Sequence, residues 1–129
     1  MSKSSDKEMR LHEGELNVME LLWSNKVLAA KDISKIIKEY NFRIFVRTIN
    51  TTYTVIKRLI NKGAIRREDP GFLCSAKVTK KEIQDIETKA LLNKMYNGSL
   101  STFINDYLGN RKLSLEETME LKRILHLNE

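Results

Sequence analysis

The sequence predicts a mainly α-helical protein with one small β-hairpin. Three observations carry this. Apolar residues recur at the spacing of an amphipathic helix in six separate stretches. A single Pro-Gly pair, Pro70-Gly71, separates two short runs with the alternation of strands. At 129 residues, with 41% hydrophobic and 31% charged side chains, the chain is one domain or one small domain plus an appendage.

The opening MSKSSDKEMR is polar and unpatterned, so residues 1–12 are expected to be a flexible N-terminus. A first helix is expected over 14–25, where Leu16, Met19, Leu22 and Trp23 share a face, Val18 and Leu21 widen it, and Ser24-Asn25 ends it. A second, over 29–41, puts Ala29, Ile33, Ile36, Ile37 and Tyr40 on one side and Lys31, Lys35 and Lys38 on the other. A third runs from Thr48, suited to be its N-cap, to a stop at Lys62-Gly63. Its wheel separates two faces cleanly. Ile49, Thr52, Val55, Ile56, Leu59 and Ile60 fall inward; Arg47, Asn50, Thr51, Thr54, Lys57, Arg58 and Asn61 fall outward. Tyr53 lies at the boundary, open to a place on the core's rim or to a contact with a ligand.

A hairpin follows. Phe72, Cys74 and Ala76 alternate against Leu73, Ser75 and Lys77, and Pro70-Gly71 suits positions i+1 and i+2 of a type II turn. Three helices and then a hairpin is the order of a winged helix-turn-helix, here over residues 13–78.

Residues 79–129 read as three more helices: 79–98, with a capping box from Thr79 and Glu82 and an end at Gly98; 100–109; and 114–128, with a capping box from Ser114 and Glu117. Helices of that size bury too little for a comfortable core of their own. A second copy would complete it, so a homodimer is expected. Its interface would be Ile83, Ile86, Leu91, Met95, Leu100, Phe103, Ile104, Tyr107, Met119, Leu121, Ile124 and Leu125. The competing arrangement folds these helices back onto the first domain.

Charge is unevenly spread. The net charge is +6, and residues 1–76 hold 14 Lys/Arg against 9 Asp/Glu, while 77–129 hold 9 against 8. Between Glu39 and Glu68 there is no acid at all, but Arg43, Arg47, Lys57, Arg58, Lys62, Arg66 and Arg67 are present. A local basic field attracts polyanions. A helix face of short hydroxyls and amides followed by long cations is also a poor packing face. It suits a recognition helix, whose N-terminal residues approach base edges in the major groove. The expected DNA-facing set is therefore Arg47, Thr48, Asn50, Thr51, Tyr53, Thr54, Lys57 and Arg58 on the helix, with Arg66 and Arg67 on the hairpin. Lys62 is expected to complement the helix dipole instead of touching DNA.

Other classes find little support. His12 and His126 lie at opposite ends of the chain, and no Gly-rich phosphate loop, zinc spacing or triad motif is present. No enzyme, cofactor or metal site is expected. The lone Cys74 cannot form an intrachain disulfide and reads as a small buried apolar residue, so a reducing cytoplasm is the expected home. No apolar run approaches the roughly 20 residues a bilayer span needs, so no membrane insertion is expected. A winged helix used for protein or RNA contacts remains the competing reading. Against RNA, only Phe42, Phe45 and Tyr53 offer stacking rings near the basic region.

Several segments also resemble the penicillinase-repressor family, the BlaI/MecI type. Glu15 to Trp23 is similar to that family's E-W-x-V-M-x-x-(I/L)-W signature, and Thr51 to Arg67 resembles its T-x-x-T-x-(I/L)-x-R-L-x-x-K recognition-helix pattern. Further likeness runs through Leu91–Gly98 and Glu120–Leu125, so the resemblance spans roughly residues 13–126. It implies a dimeric repressor that binds an inverted-repeat operator ahead of β-lactam-resistance genes, by way of Thr51, Thr54 and Arg58 and the wing's Arg66 and Arg67. It also implies inactivation by a membrane sensor-protease. Where the family is cut at an Asn-Phe bond, this chain has Asp106-Tyr107. Leu16 replaces the family's usual tryptophan, Gly14 stands where a hydroxyl cap is common, and the paired Cys-x-Cys tail of the copper-responsive cousins is missing. A repressor of the same fold with an unrelated regulon is the nearest alternative.

Overall fold

The computed structural model describes residues 9–40 and 49–129. Arg47 and Thr48, the side chain of Asn50, and the first eight residues expected to be flexible lie outside the described residues. The chain forms two compact units, Met1–Thr88 and Lys89–Glu129. The first runs past the boundary expected at 78/79.

The first unit contains helix α1 (Glu13–Ser24), strand β1 (Leu28–Ala29), helices α2 (Ala30–Tyr40) and α3 (Ile49–Lys62), strands β2 (Ile65–Glu68) and β3 (Leu73–Ala76), and the start of α4 (Lys80–Met95). This is the expected fold class, mainly helical with a small β wing. The inward faces read from the sequence are the ones that pack. Val18, Met19 and Leu22 of α1, Ile33 of α2, and Thr52, Ile56 and Leu59 of α3 are all buried. Each large apolar side chain so buried contributes about 1.5–3 kcal/mol. Gly63, at φ +86°, turns the chain out of α3, a conformation that side chains with a Cβ resist. Ala64 N–H then closes the helix end on Leu59 O at 2.9 Å.

Four expectations need correction. Ala29 does not open the second helix: Leu28 and Ala29 pair antiparallel with Cys74 and Leu73, so the sheet has three strands in the order β1-β3-β2. Two residues are too short a run for alternation to register, and their partner lies far along the chain. Tyr40, placed on the inner face of α2, is 81% exposed, whereas Ser34 is buried. The last turn of α2 overshoots the core.

In the hairpin turn Glu68 pairs with Leu73, leaving a four-residue loop, and Gly71, expected at position i+2, has the positive φ (+101°) that a type II turn requires there; Phe72 after it is also positive (φ +50°). The strand alternation beyond the loop is as expected, with Cys74 buried and Leu73 exposed.

Residues 9–12 are not loose. Leu11 is buried, its N–H donates to Glu87 Oε2 at 3.1 Å, and Arg10 pairs with Glu87 Oε1 at 3.2 Å. Ile83, expected at a dimer interface, is 2% exposed within the first unit's core. It has no surface left to offer a partner. Together with Glu87, it holds the first turns of α4 to the first unit.

The second unit holds the end of α4, α5 (Leu100–Gly109) and α6 (Leu115–Leu127). The capping boxes at Thr79/Glu82 and Ser114/Glu117 both form. Ser99, a cap not anticipated, accepts from Thr102 N–H at 3.1 Å. Neither α5 nor α6 buries a residue. Tyr96 meets Phe103 edge-on at 5.2 Å, Phe103 stacks on Tyr107 at 5.7 Å, and the Arg111 guanidinium lies 4.1 Å over the Tyr107 ring.

Candidate nucleic-acid interface

Helix α3 carries the candidate face. With Thr52, Ile56 and Leu59 anchored in the core, Thr54, Lys57 and Arg58 are exposed, and Thr51 and Tyr53 are half-buried. Within the acid-free stretch, α3 is therefore an amphipathic helix whose solvent side is polar and cationic, as the wheel predicts. Thr54 and Arg58 stand one turn apart, with Lys57 beside them. Among the described residues Lys57 has no ion-pair partner.

Behind this face lies a carboxylate that sequence reasoning did not single out. Glu15 on α1 is 1% exposed. Its Oε1 accepts from His12 N–H at 2.9 Å and from Lys62 Nζ at 2.8 Å, and its Oε2 lies 3.4 Å from Arg58 Nε. Burial is the largest single influence on its pKa and pushes it up, but the His12 N–H, the Lys62 hydrogen bond and the charges of Lys62 and Arg58 outweigh it. The net effect holds the carboxyl below the ordinary range, so it is ionised at neutral pH. Lys62, expected only to complement the helix dipole, also donates to Arg10 O at 3.1 Å. The signal for Glu15 was present in the sequence. It stands four and seven residues before Met19 and Leu22, on the stripe that α1 buries, where a charge requires a partner.

The wing divides its two arginines. Pairing of Arg66 with Ser75 and of Arg67 with Cys74 puts them on opposite faces of the sheet. Arg67 lies 3.5 Å over the Phe72 ring, and Phe72 meets Tyr53 of α3 edge-on at 5.6 Å. The structure thus brings Tyr53, Phe72 and Arg67 together, and Phe72 is a further residue that the strand reading hid. Arg66 faces away from this stack and pairs with Glu68 at 3.3 Å; Arg67 pairs with Asp69 at 3.1 Å. These acids lie just past the acid-free stretch and temper the wing's field. Exposed pairs of this kind are worth about 0–1 kcal/mol, little enough for a phosphate to replace the carboxylate. Cys74 lies beneath the wing; burial raises its pKa, partly offset by the charge of Arg67, so the thiol stays protonated at neutral pH.

The Asp106-Tyr107 peptide bond lies inside α5. Asp106 is exposed and its Oδ2 accepts from Tyr96 Oη–H at 3.3 Å. Among the described residues no group of three or more His, Cys, Asp or Glu could hold a metal ion, and no helix is long and apolar enough to cross a membrane.

A model of the penicillinase repressor family matches residues 11–126. The chain belongs to the penicillinase repressor family. That makes it a member of a family of transcriptional regulators, not of enzymes. Its relatives in this family include the penicillinase repressor of Bacillus licheniformis, 29% identical over 118 residues, which make up 90% of this chain and 89% of that one. The penicillinase repressor of Staphylococcus aureus is 27% identical over 95% of each chain. The methicillin resistance regulatory protein MecI of Staphylococcus aureus (strain N315) is 27% identical over 94% of this chain and 97% of that one. A solved structure, the solution structure of the DNA-binding domain of the repressor BlaI, has a TM-score of 0.49 at 22% identity, over 56% of this chain and 85% of that one.

Proposed function

We propose that this member of the penicillinase repressor family is a cytoplasmic, sequence-specific DNA-binding repressor that acts as a homodimer. The observation that carries the reading is the outer face of α3, where Thr51, Thr54, Lys57 and Arg58 lie opposite buried Thr52, Ile56 and Leu59. Residues 13–78 bind DNA, and the helices beyond them join two copies. Two recognition helices then enter successive major grooves of an inverted-repeat operator, on half-sites about 10 bp or a multiple apart. Polymerase is excluded from the promoter. Lys57, Arg66 and Arg67 neutralise phosphates, Thr51, Thr54 and Tyr53 approach base edges, and Arg58 presents its guanidinium to a base edge. The names of the relatives favour β-lactam-resistance genes as the regulon.

The C-terminal faces support the dimer. Leu91, Met95, Leu100, Ile104, Tyr107, Met119, Leu121, Ile124 and Leu125 are exposed in the single chain. So many exposed large apolar side chains on three amphipathic helices favour a partner that covers them. Ile86 and Phe103 are half-buried on the same helices.

Release by a sensor-protease at Asp106-Tyr107 is a further part of the proposal. Because this bond lies in a helix, the protease would act on a locally opened α5, since cleavage needs an extended backbone. If β-lactam exposure switches on the target gene while the repressor stays intact, this part is wrong.

The reading is tested by fluorescence anisotropy against a duplex carrying the promoter upstream of this gene. A shuffled duplex and an RNA of equal length serve as competitors. The expected affinity is on the order of 10⁻⁸ M at physiological salt, with steep salt dependence and clear preference for the promoter. Equal or tighter binding to RNA would instead favour an RNA-binding winged helix. No binding to either would favour a protein-contacting one.

A further inference from the structure

We infer that Glu15 is a positioning residue for DNA recognition, holding Arg58 of α3 so that its guanidinium faces the duplex in one arrangement. The inference rests on the proposed DNA-binding reading and names a residue that the DNA itself would not touch.

The geometry separates two tasks within one carboxylate. Oε1 is committed to the fold, accepting from His12 N–H and Lys62 Nζ. Oε2 is buried without a hydrogen bond, and the cation facing it is Arg58, with Nε at 3.4 Å. Arg58 itself is half in solvent, its side chain 52% exposed. A guanidinium is a rigid planar fork, so an ion pair at Nε leaves the edge formed by its two terminal nitrogens available and restricts the directions in which that edge can point. A free arginine on a helix surface samples many rotamers and would give up that freedom on binding. Tethered to Glu15, it gives up less, and the direction of its fork relative to Thr54 is already set.

The same contact could instead compete with DNA by holding the cation back. Coulomb attraction alone does not separate these roles, but the placement does: Oε2 is enclosed, whereas the outer half of Arg58 is not. DNA approaching α3 meets the guanidinium without having to displace Glu15.

The test is a double-mutant cycle with Glu15→Gln and Arg58→Ala in the full-length protein. The readout is the ratio of affinities for the promoter duplex and a shuffled duplex of equal length. Glu15→Gln keeps the size of the side chain and an acceptor for His12 but loses the charge. In the Arg58 background it is expected to lower the preference for the promoter about tenfold; in the Arg58→Ala background, less than twofold. Equal losses in both backgrounds would mean a purely structural role, and tighter promoter binding by Glu15→Gln would mean competition. Either overturns the inference. Should Glu15→Gln lose its helical circular dichroism, Arg58→Lys decides. It keeps the charge, but one ammonium cannot sit on Glu15 and also present a fork. A tenfold loss of preference with shuffled-duplex binding within twofold of wild type is expected, and an unchanged preference overturns the inference. Wild-type protein that binds neither duplex overturns the DNA-binding reading, and this inference falls with it.

Discussion

Ile83 and Leu91 lie about two turns apart on the apolar stripe of one helix, yet the first is sealed in a core and the second is open to solvent. The same division runs through the whole molecule. Every buried residue among those described lies in the first unit, while α5 and α6 bury none. The sequence pattern is alike in both regions. Periodicity reveals which face of a helix is apolar, but not what covers it. In the first unit three helices and a sheet cover one another; in the second the covering material is proposed to be another copy of the chain.

The contrast can be broken most forcefully at its centre. Leu59 is fully buried, so Leu59→Ala is expected to destabilise the first unit by about 2–5 kcal/mol, seen as a lower urea midpoint. Leu125 is 69% exposed in the single chain, and at high dilution Leu125→Ala is expected to shift that midpoint by less than about 0.5 kcal/mol. Comparable losses would show that the C-terminal helices have a core of their own.

Next in size is assembly. Ile124→Asp places a charge on the exposed apolar face of α6. Light scattering at micromolar concentration should report two chains for wild type and one for the variant, with the first unit's unfolding unchanged. A wild-type mass of one chain would remove the dimer from the account.

Acid sharpens the comparison from the first unit's side. Because the pKa of Glu15 is lowered on folding, its contribution to stability is fully present above the ordinary value of 4.5 and is lost as pH falls through the folded value. The stability gap between wild type and Glu15→Gln should be widest at neutral pH and should narrow below 4.5. A gap independent of pH would mean that the ion pairs contribute nothing. The smallest effect expected is at the wing: Arg66→Ala should weaken duplex binding uniformly across sequences and flatten its salt slope by about one.

Much of this was legible beforehand, and the exceptions share a cause. The wheel of α3 separated buried Thr52, Ile56 and Leu59 from exposed Thr54, Lys57 and Arg58, because helix geometry is local. The capping boxes at Thr79 and Ser114 were readable for the same reason. What escaped depends on residues distant in sequence. Strand β1 exists through its pairing with Cys74 and Leu73, and although the burial of Glu15 was readable from its place on the α1 stripe, its partners Lys62 and Arg58 reach it from another helix. Phe72 looked like an ordinary strand residue until the loop turned it between Tyr53 and Arg67. Part of the candidate site thus follows from one helix, and the rest from what tertiary packing brings to it.

The central claim is that the solvent face of α3 meets duplex DNA. Its most direct test is a side-by-side anisotropy titration of Arg58→Ala and Lys122→Ala against the promoter duplex. Arg58→Ala should bind at least about tenfold more weakly than wild type, since it removes a charged contact worth roughly 1.5–3 kcal/mol. Lys122→Ala, on exposed α6, should stay within about twofold. Equal losses in the two variants would contradict the account, because the DNA would then lie on another surface.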